Sequence, residues 1–420
     1  MAEQLRAGIG SMEARALKKI VITLVLAVAL LTQAAAGLPL FILSARAAGS
    51  PAETPGRESG AVHESAPDEL SVLFINVGKA DAALLRCQGK AWLIGTGSKA
   101  SVPRLLGALA LLHIKALEGV FLTHGHADHA GGMEALAGYI PIGTLYSSVF
   151  SQDKKNGDNR IDELARDLHL TQRKLRAGDS VDLARDVFLE VLGPVEFNEE
   201  DDNDNSLVLM LRASGRALLF AGDMQQAGEE ALLRSGAAVS ADVLKVGNHG
   251  NPDATTAAFA GAVSPKYAVI STDTLADTDS ANERVLAALG EAQVFITQNY
   301  ACGVLISLRT DGSIALRDPA LPKAPANILV AGINRDTQTI TIKNTGPDAD
   351  ISGFIILSAR GSEVFVFPQG AHLKAGQLVS VSARPGADYL WPGKSTVWHR
   401  EKEDSALLYD RFGSLFARGD

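Results

Sequence analysis

Within the seven residues Thr123-His124-Gly125-His126-Ala127-Asp128-His129 stand three of the chain's nine histidines and one carboxylate. Imidazole and carboxylate are ligands for zinc, and also for manganese or iron. Their density in an otherwise histidine-poor chain points to metal binding rather than to a solvated turn. The spacing differs from the i, i+4 pattern of two ligands on one helix face. It suits a loop in which alternate residues converge on one side and their neighbours on another, so that two adjacent divalent ions can be held. Such a pair of cations lowers the pKa of a bridging water until hydroxide exists at neutral pH, and stabilises negative charge on an attacked phosphoryl or carbonyl oxygen. Asp128 is placed to orient that water or to accept its proton. His113, His169, His372 and His399 lack neighbouring ligands and are expected at structural or surface positions.

A scaffold must bring these groups together. Residues 119–122 read as a short buried strand that delivers the cluster, and 132–139 as a helix that opens after it. Upstream, 70–77, 82–87 and 91–94 read as strands and 102–112 has helical spacing. Downstream, strand and helix patterns alternate through 217–220, 227–234, 243–246, 254–263 and 267–271, which predicts an α/β domain up to about Arg317. A proline-bearing hinge follows at 319–326. Beyond it, 328–331, 339–343, 353–358, 364–367 and 378–382 are short alternating strands between Gly, Pro, Asn and Asp turns, which predicts a β-sandwich over 327–420.

At 420 residues the chain has room for two globular units and a leader. Its net charge of −9 gives no general attraction to phosphate backbones, so contact with nucleic acid would need a local basic patch. The only cysteines, Cys87 and Cys302, form no CxxC, which excludes a thiolate zinc site. Residues 20–45 are almost continuously apolar and follow Arg15, Lys18 and Lys19. That pattern predicts an export signal within 1–48. Its length favours an uncleaved membrane anchor, while Ala45-Arg46-Ala47 is a small-x-small site of the kind cut in a signal peptide. Residues 49–68 read as a flexible linker, and the folded part is expected outside the cytoplasm, anchored or secreted. The acidic run 199–204 lacks the spacing of a calcium loop and reads as a solvated loop near the cleft.

The His-Gly-His-Ala-Asp-His string with Gly131-Gly132 resembles the ligand motif of the metallo-β-lactamase superfamily, whose fold is an αββα sandwich. The resemblance implies His124 and His126 as ligands of a first metal, and Asp128 with His129 of a second. It also implies Asp223, ending Leu218-Leu219-Phe220-Ala221-Gly222-Asp223, as the bridging carboxylate and His249 as a late ligand. Phe74-Ile75-Asn76-Val77-Gly78-Lys79-Ala80-Asp81-Ala82, Asn205-Ser206-Leu207-Val208-Leu209 and the 245–250 string are similar to the ComEC-like subgroup of DNA-uptake proteins. Over 69–318 that similarity implies phosphodiester cleavage. Three positions depart from the superfamily or subgroup pattern: Gly95 replaces an Asp before Thr96-Gly97, Asn205 stands where many members place a third histidine, and Asn248 precedes His249-Gly250. The first metal is thus short of protein ligands, which tilts the choice from zinc toward manganese. Lys79 and Asn205 are the candidate substrate contacts, although a turn lysine commonly just faces solvent.

Beyond Asn327, Ile340-Thr341-Ile342-Lys343-Asn344, Ile351-Ser352-Gly353-Phe354, Trp398 and Ala406-Leu407-Leu408-Tyr409-Asp410-Arg411-Phe412-Gly413 resemble the lamin-tail domain, an immunoglobulin-like sandwich. It carries no catalytic constellation and reads as a binding or spacing module whose ligand the sequence does not name. The expectation is therefore a dinuclear zinc or manganese hydrolase of phosphodiesters, with nucleic acid the favoured substrate. The competing readings are a hydrolase of lactones, thioesters or other carbonyl substrates, and a binding protein whose metal site has decayed.

Overall fold

The computed structural model describes residues 70–151 and 159–420, so the expected leader at 1–48 and linker at 49–68 lie outside the described residues. No helix among the described residues is long and apolar enough to cross a membrane.

The first strand, Leu70–Ile75, is buried at every position. Side chains alternate across a strand, and here Val72 and Phe74 enter one core while Leu73 and Ile75 enter another. A strand apolar on both faces belongs in the middle of a layered molecule. The first sheet contains β1 (Leu70–Ile75), β2 (Ala83–Cys87), β3 (Lys90–Ile94), β4 (Leu117–Leu122), β5 (Ile142–Ser148) and β6 (Thr171–Leu175). The second contains β7 (Ser180–Ala184), β8 (Val187–Gly193), β9 (Val208–Ala213), β10 (Arg216–Phe220), β11 (Val243–Lys245), β12 (Tyr267–Ile270) and β13 (Gln293–Ile296). The chain then returns to the first sheet with β14 (Gly303–Leu308) and β15 (Ile314–Arg317), giving the orders β15-β14-β1-β2-β3-β4-β5-β6 and β13-β12-β11-β10-β9-β8-β7.

The faces between the sheets share one core, in which Phe74 and Phe220 stack at 5.7 Å. Such a pair contributes roughly 0.5–1.5 kcal/mol beyond its buried area. On the outer face of the first sheet lie Leu105, Leu106 and Leu109 of α1 (Val102–Leu111) and Ile161 and Leu164 of the helix Arg160–Asp167. The second sheet's outer face is covered by Leu232, Phe259, Val263 and Val285 from the helices Gln226–Arg234, Ala257–Val263 and Glu283–Ala288. Helix, sheet, sheet, helix is the layer order expected for residues 69–318.

After Arg317 the texture changes to strands alone, as the turn-rich sequence predicts. Two four-stranded sheets, one built on Ile328–Asn334 and Thr339–Asn344 and the other on Ile355–Ser358 and Ala406–Tyr409, share a core around Trp391 and Trp398. Within the segment expected as a hinge, Leu321 packs on the core under α1, and Ala324 is buried in the tail core with its N–H donating to Asp410. The tail also touches α1 directly. A Cβ at Gly107 would overlap the Phe412 carbonyl, and one at Gly413 would lie 2.5 Å from the Pro103 carbonyl, so two glycines let the backbones meet.

Candidate metal centre

The site forms where strands end. β3, β4 and β5 run parallel, as do β10, β11 and β12. The histidine cluster follows β4, Asp223 follows β10, His249 follows β11 and Ser271 follows β12. The cluster is only half the loop that its spacing suggests: Ala127–Ala130 forms a single helical turn, α2, carrying Asp128 and His129, with His126 at its extended N-cap.

His129 is fully buried, its Nε2 2.9 Å from Asp223 Oδ2 and its Nδ1 3.2 Å from Thr123 Oγ1. Asp223 is seated by its own N–H, which donates to Ser206 Oγ at 3.1 Å, and by Gly222, whose positive φ of 58° lets the chain turn against Ser206. Asn248 and His249 adopt φ of 40° and 54°, a left-handed pair that costs of order 1–3 kcal/mol per residue and persists only when its surroundings impose it. Asn tolerates that conformation better than most residues, and Asn248 Nδ2 donates to Asp253 at 2.9 Å. The His249 Nδ1–H donates to the Ser271 carbonyl at 2.8 Å, which leaves Nε2 facing Asp223 Oδ2 at 3.3 Å and Asp128 Oδ2 at 3.4 Å.

Asp128, His129, Asp223 and His249 thus bring one ligand atom each to within 4.8 Å of one another. Asp223 Oδ1, His249 Nε2 and His124 Nε2 are buried with no hydrogen-bond partner. Burying unsatisfied polar atoms is costly, and divalent cations bound by these groups would satisfy them. The donor set fits zinc or manganese. Burial opposes ionisation of Asp223, yet His129 and His249 hold its carboxyl well below the usual carboxylate range. Asp128 is likewise held low against its burial by the His249 hydrogen bond, His129 and Lys79. His249 is pushed up to about 10, with burial outweighed by Asp223 and Asp128. His124 is pushed down by burial and by His129, which keeps its imidazole neutral and ready to ligate.

His124 and His126 lie beside this group. Their ring centroids are 4.4 Å apart, and the His124 ring is 4.3 Å from that of His129. His124 is buried and meets Ser206 Oγ through Nδ1 at 3.2 Å, while His126 is exposed. Lys79, half-exposed in the turn after β1, places its Nζ 2.8 Å from Asp128 Oδ2. Burial works to lower the lysine pKa, but Asp128 outweighs it and raises it, so Lys79 is an ammonium at neutral pH.

Asn205 does not take the role expected for it. Its Oδ1 accepts from Asn198 N at 2.9 Å and its Nδ2 donates to the Asn198 carbonyl at 2.8 Å, so the amide closes its own loop. The neighbouring Ser206 is the residue that reaches His124. The acidic run also differs from a solvated loop: Asp202 and Asp204 are buried, and Asp204 accepts from Gln225 N at 2.8 Å and Gly228 N at 3.0 Å, capping the helix that follows Asp223.

Asp81 was the residue to find. It lies 2.5 Å from the buried Lys245 Nζ, 3.9 Å from His129 Nδ1 and 3.8 Å from His249 Nδ1. A Cβ on Gly95, at φ of 72°, would overlap the Asp81 carbonyl. A carboxylate therefore stands behind the His129 and His249 imidazoles, but it comes from the first turn and not from the position before Thr96. The sequence held two hints, the carboxylate beside Lys79 and the absence of one at Gly95.

Residues 75–274 match the family model described as the metallo-beta-lactamase superfamily, and this part of the chain belongs to that superfamily. Among curated proteins, the chain is 33% identical over 211 residues to competence protein ComA of Neisseria gonorrhoeae, covering 50% of this chain and 28% of that protein. It is 30% identical over 168 residues to ComE operon protein 3 of Bacillus subtilis (strain 168), covering 40% of this chain and 21% of that one. These two similarities support the ComEC-like subgroup, although the chain spans less than a third of the length of either relative. A shorter match, 34% identical over 67 residues, joins it to hydroxyacylglutathione hydrolase of Salmonella typhi, covering 16% of this chain and 25% of that protein.

Proposed function

We propose that this protein is a dinuclear metallohydrolase that cleaves phosphodiesters outside the cytoplasm, with nucleic acid as its substrate and a role in DNA uptake or degradation. The observation that carries this reading is Lys79. In the region similar to two competence proteins, it sets a charged ammonium 2.8 Å from Asp128, at the edge of the metal-ligand cluster. A phosphodiester brings a formal negative charge that a neutral ester or lactone lacks, and a fixed cation at that edge favours it.

In this reading Asp128, His129, Asp223 and His249 would hold one zinc or manganese ion, and His124 and His126 would contribute ligands to a second. The ions would supply Lewis-acid stabilisation and a water acidified to neutral pH. Lys79 binds a non-bridging phosphate oxygen and holds the Asp128 carboxylate in place. Asp128 orients the attacking water through its free lone pairs. The Ser271 carbonyl fixes the His249 ring and Thr123 the His129 ring by hydrogen bonds. The tail is proposed as a lamin-tail-like binding or spacing module, and residues 1–48 as the export or anchoring signal that would place the enzyme at the membrane.

Metal content and cleavage of single-stranded DNA, measured with zinc and with manganese, test the proposal on the wild type and on the Asp128→Ala, Asp223→Ala double variant. Equal cleavage by both proteins sinks it. Activity on thioesters or lactones alone would promote a carbonyl-ester hydrolase, the reading favoured by the match to hydroxyacylglutathione hydrolase.

A further inference from the structure

Two aromatic rings stand on the loops that flank the metal centre, and the mechanism above uses neither. Phe150 follows β5, in which Ser147 pairs with Leu122, the residue that leads into Thr123 and the histidine cluster. Its N–H donates to Ser148 Oγ at 3.0 Å. Phe197 belongs to the loop closed by Asn205, one residue before Asn198 and hydrogen-bonded through it to the segment whose Ser206 touches His124. The two rings lie 5.8 Å apart with a tilt of 40°. Phe197 is 36% exposed, more than any other phenylalanine among the described residues.

Resting on the phosphodiesterase reading, we propose that Phe150 and Phe197 form a stacking platform for an unpaired nucleobase of the strand whose phosphate meets the metal centre. Charge is one argument. The chain carries a net charge of −9, and among the described residues the cations beside the cluster are Lys79, Lys245 and Arg160, the last with its Cβ 3.6 Å from where a Gly125 Cβ would be. Each is paired with a carboxylate, Asp128, Asp81 and Glu134 respectively, so these cations release few counterions and hold a nucleic acid weakly by electrostatics alone. Stacking supplies what charge does not, and it tolerates any base because every base has a π face. Exposure is the other argument: Phe197 keeps more of its surface open to solvent than any other described phenylalanine, and that surface is what a base can cover. A base paired and stacked in a duplex offers no free face, so the platform selects single strands.

The test compares an oligothymidylate with an abasic strand of equal length, which keeps the phosphates and removes the bases, on the metal-loaded protein. The wild type should favour the base-bearing strand, mainly through KM. Phe197→Ala should reduce that preference by roughly five- to hundredfold, Phe197→Trp should restore it, and the abasic strand should be cleaved equally by all three. A preference untouched by Phe197→Ala, or an equal loss on both strands, overturns the platform. If the wild type cleaves neither strand, the phosphodiesterase reading falls, and quenching of a 2-aminopurine strand decides the platform alone. Quenching that is lost in Phe197→Ala upholds stacking; its absence in the wild type overturns it.

Discussion

The two halves of the histidine cluster receive very different support from the fold. Asp128 and His129 sit on a helical turn, meet Asp223 and His249 from the second sheet, and are backed by Thr123, Ser271 and Asp81. His124 and His126 sit on the extended stretch before that turn, and Ser206 is the hydroxyl that joins Thr123 in supporting the former. Ligands drawn from two sheets are held by two cores, whereas adjacent residues of one loop are held mostly by each other. The first arrangement is pre-organised for a cation, and the second relies on its neighbour.

The largest effect should follow Asp223→Ala, which removes the carboxylate that meets both His129 and His249. Activity should fall by well over the roughly 100-fold that loss of a supporting partner costs, with metal content near zero by elemental analysis. A variant that keeps both metal and turnover would refute the assignment. His126→Ala should separate the halves: one ion per chain is retained under dialysis, whereas Asp128→Ala weakens the better-held ion.

Asp81→Asn should lower metal affinity roughly 10- to 100-fold in a chelator competition, since it removes the charge behind His129 and His249. Unchanged affinity would reduce Asp81 to packing beside Lys245. Protons compete with metal at the same groups, so the metal-free protein should show a dome of thermal stability against pH. His249, raised from 6.5 to about 10, contributes fully below its ordinary value and loses that contribution as pH climbs toward 10. Asp128 and Asp223, lowered from 3.8, contribute above that value and lose it as pH falls. Excess zinc should flatten the alkaline limb, because the ion takes neutral imidazole; a limb unchanged by zinc would mean that His249 does not ligate.

The smallest expected effect on activity is remote from the site. Gly107→Ala should cost roughly 1–3 kcal/mol of stability in denaturant melts by forcing the tail backbone off α1, while turnover per folded molecule stays unchanged. Lost turnover in the folded variant would show that the docked tail helps to shape the centre.

Much of this was legible in the chain. The alternating apolar runs announced buried strands, the change to short turn-bounded strands after Arg317 announced an all-β tail, and the ligand types of 124–129 announced part of a candidate ligand cluster. Asn205 and the acidic run were misread because a polar residue near a cleft has the same letters whether it faces the site or ties its own loop. Asp204 caps a helix and Asn205 clamps Asn198, interactions whose partners lie 7 to 24 residues away.

By itself the sequence determined which atoms could ligate and which strands could be buried on both sides, since those depend on residue type and short-range periodicity. Only the tertiary structure decided which ligands meet. His129 and Asp223 are 94 positions apart, and their 2.9 Å contact exists because one sheet stacks upon another. The same stacking brought Asp81 to Lys245 and His249, while strands of the first sheet set Lys79 against Asp128, contacts that depend on tertiary pairing rather than on any local pattern.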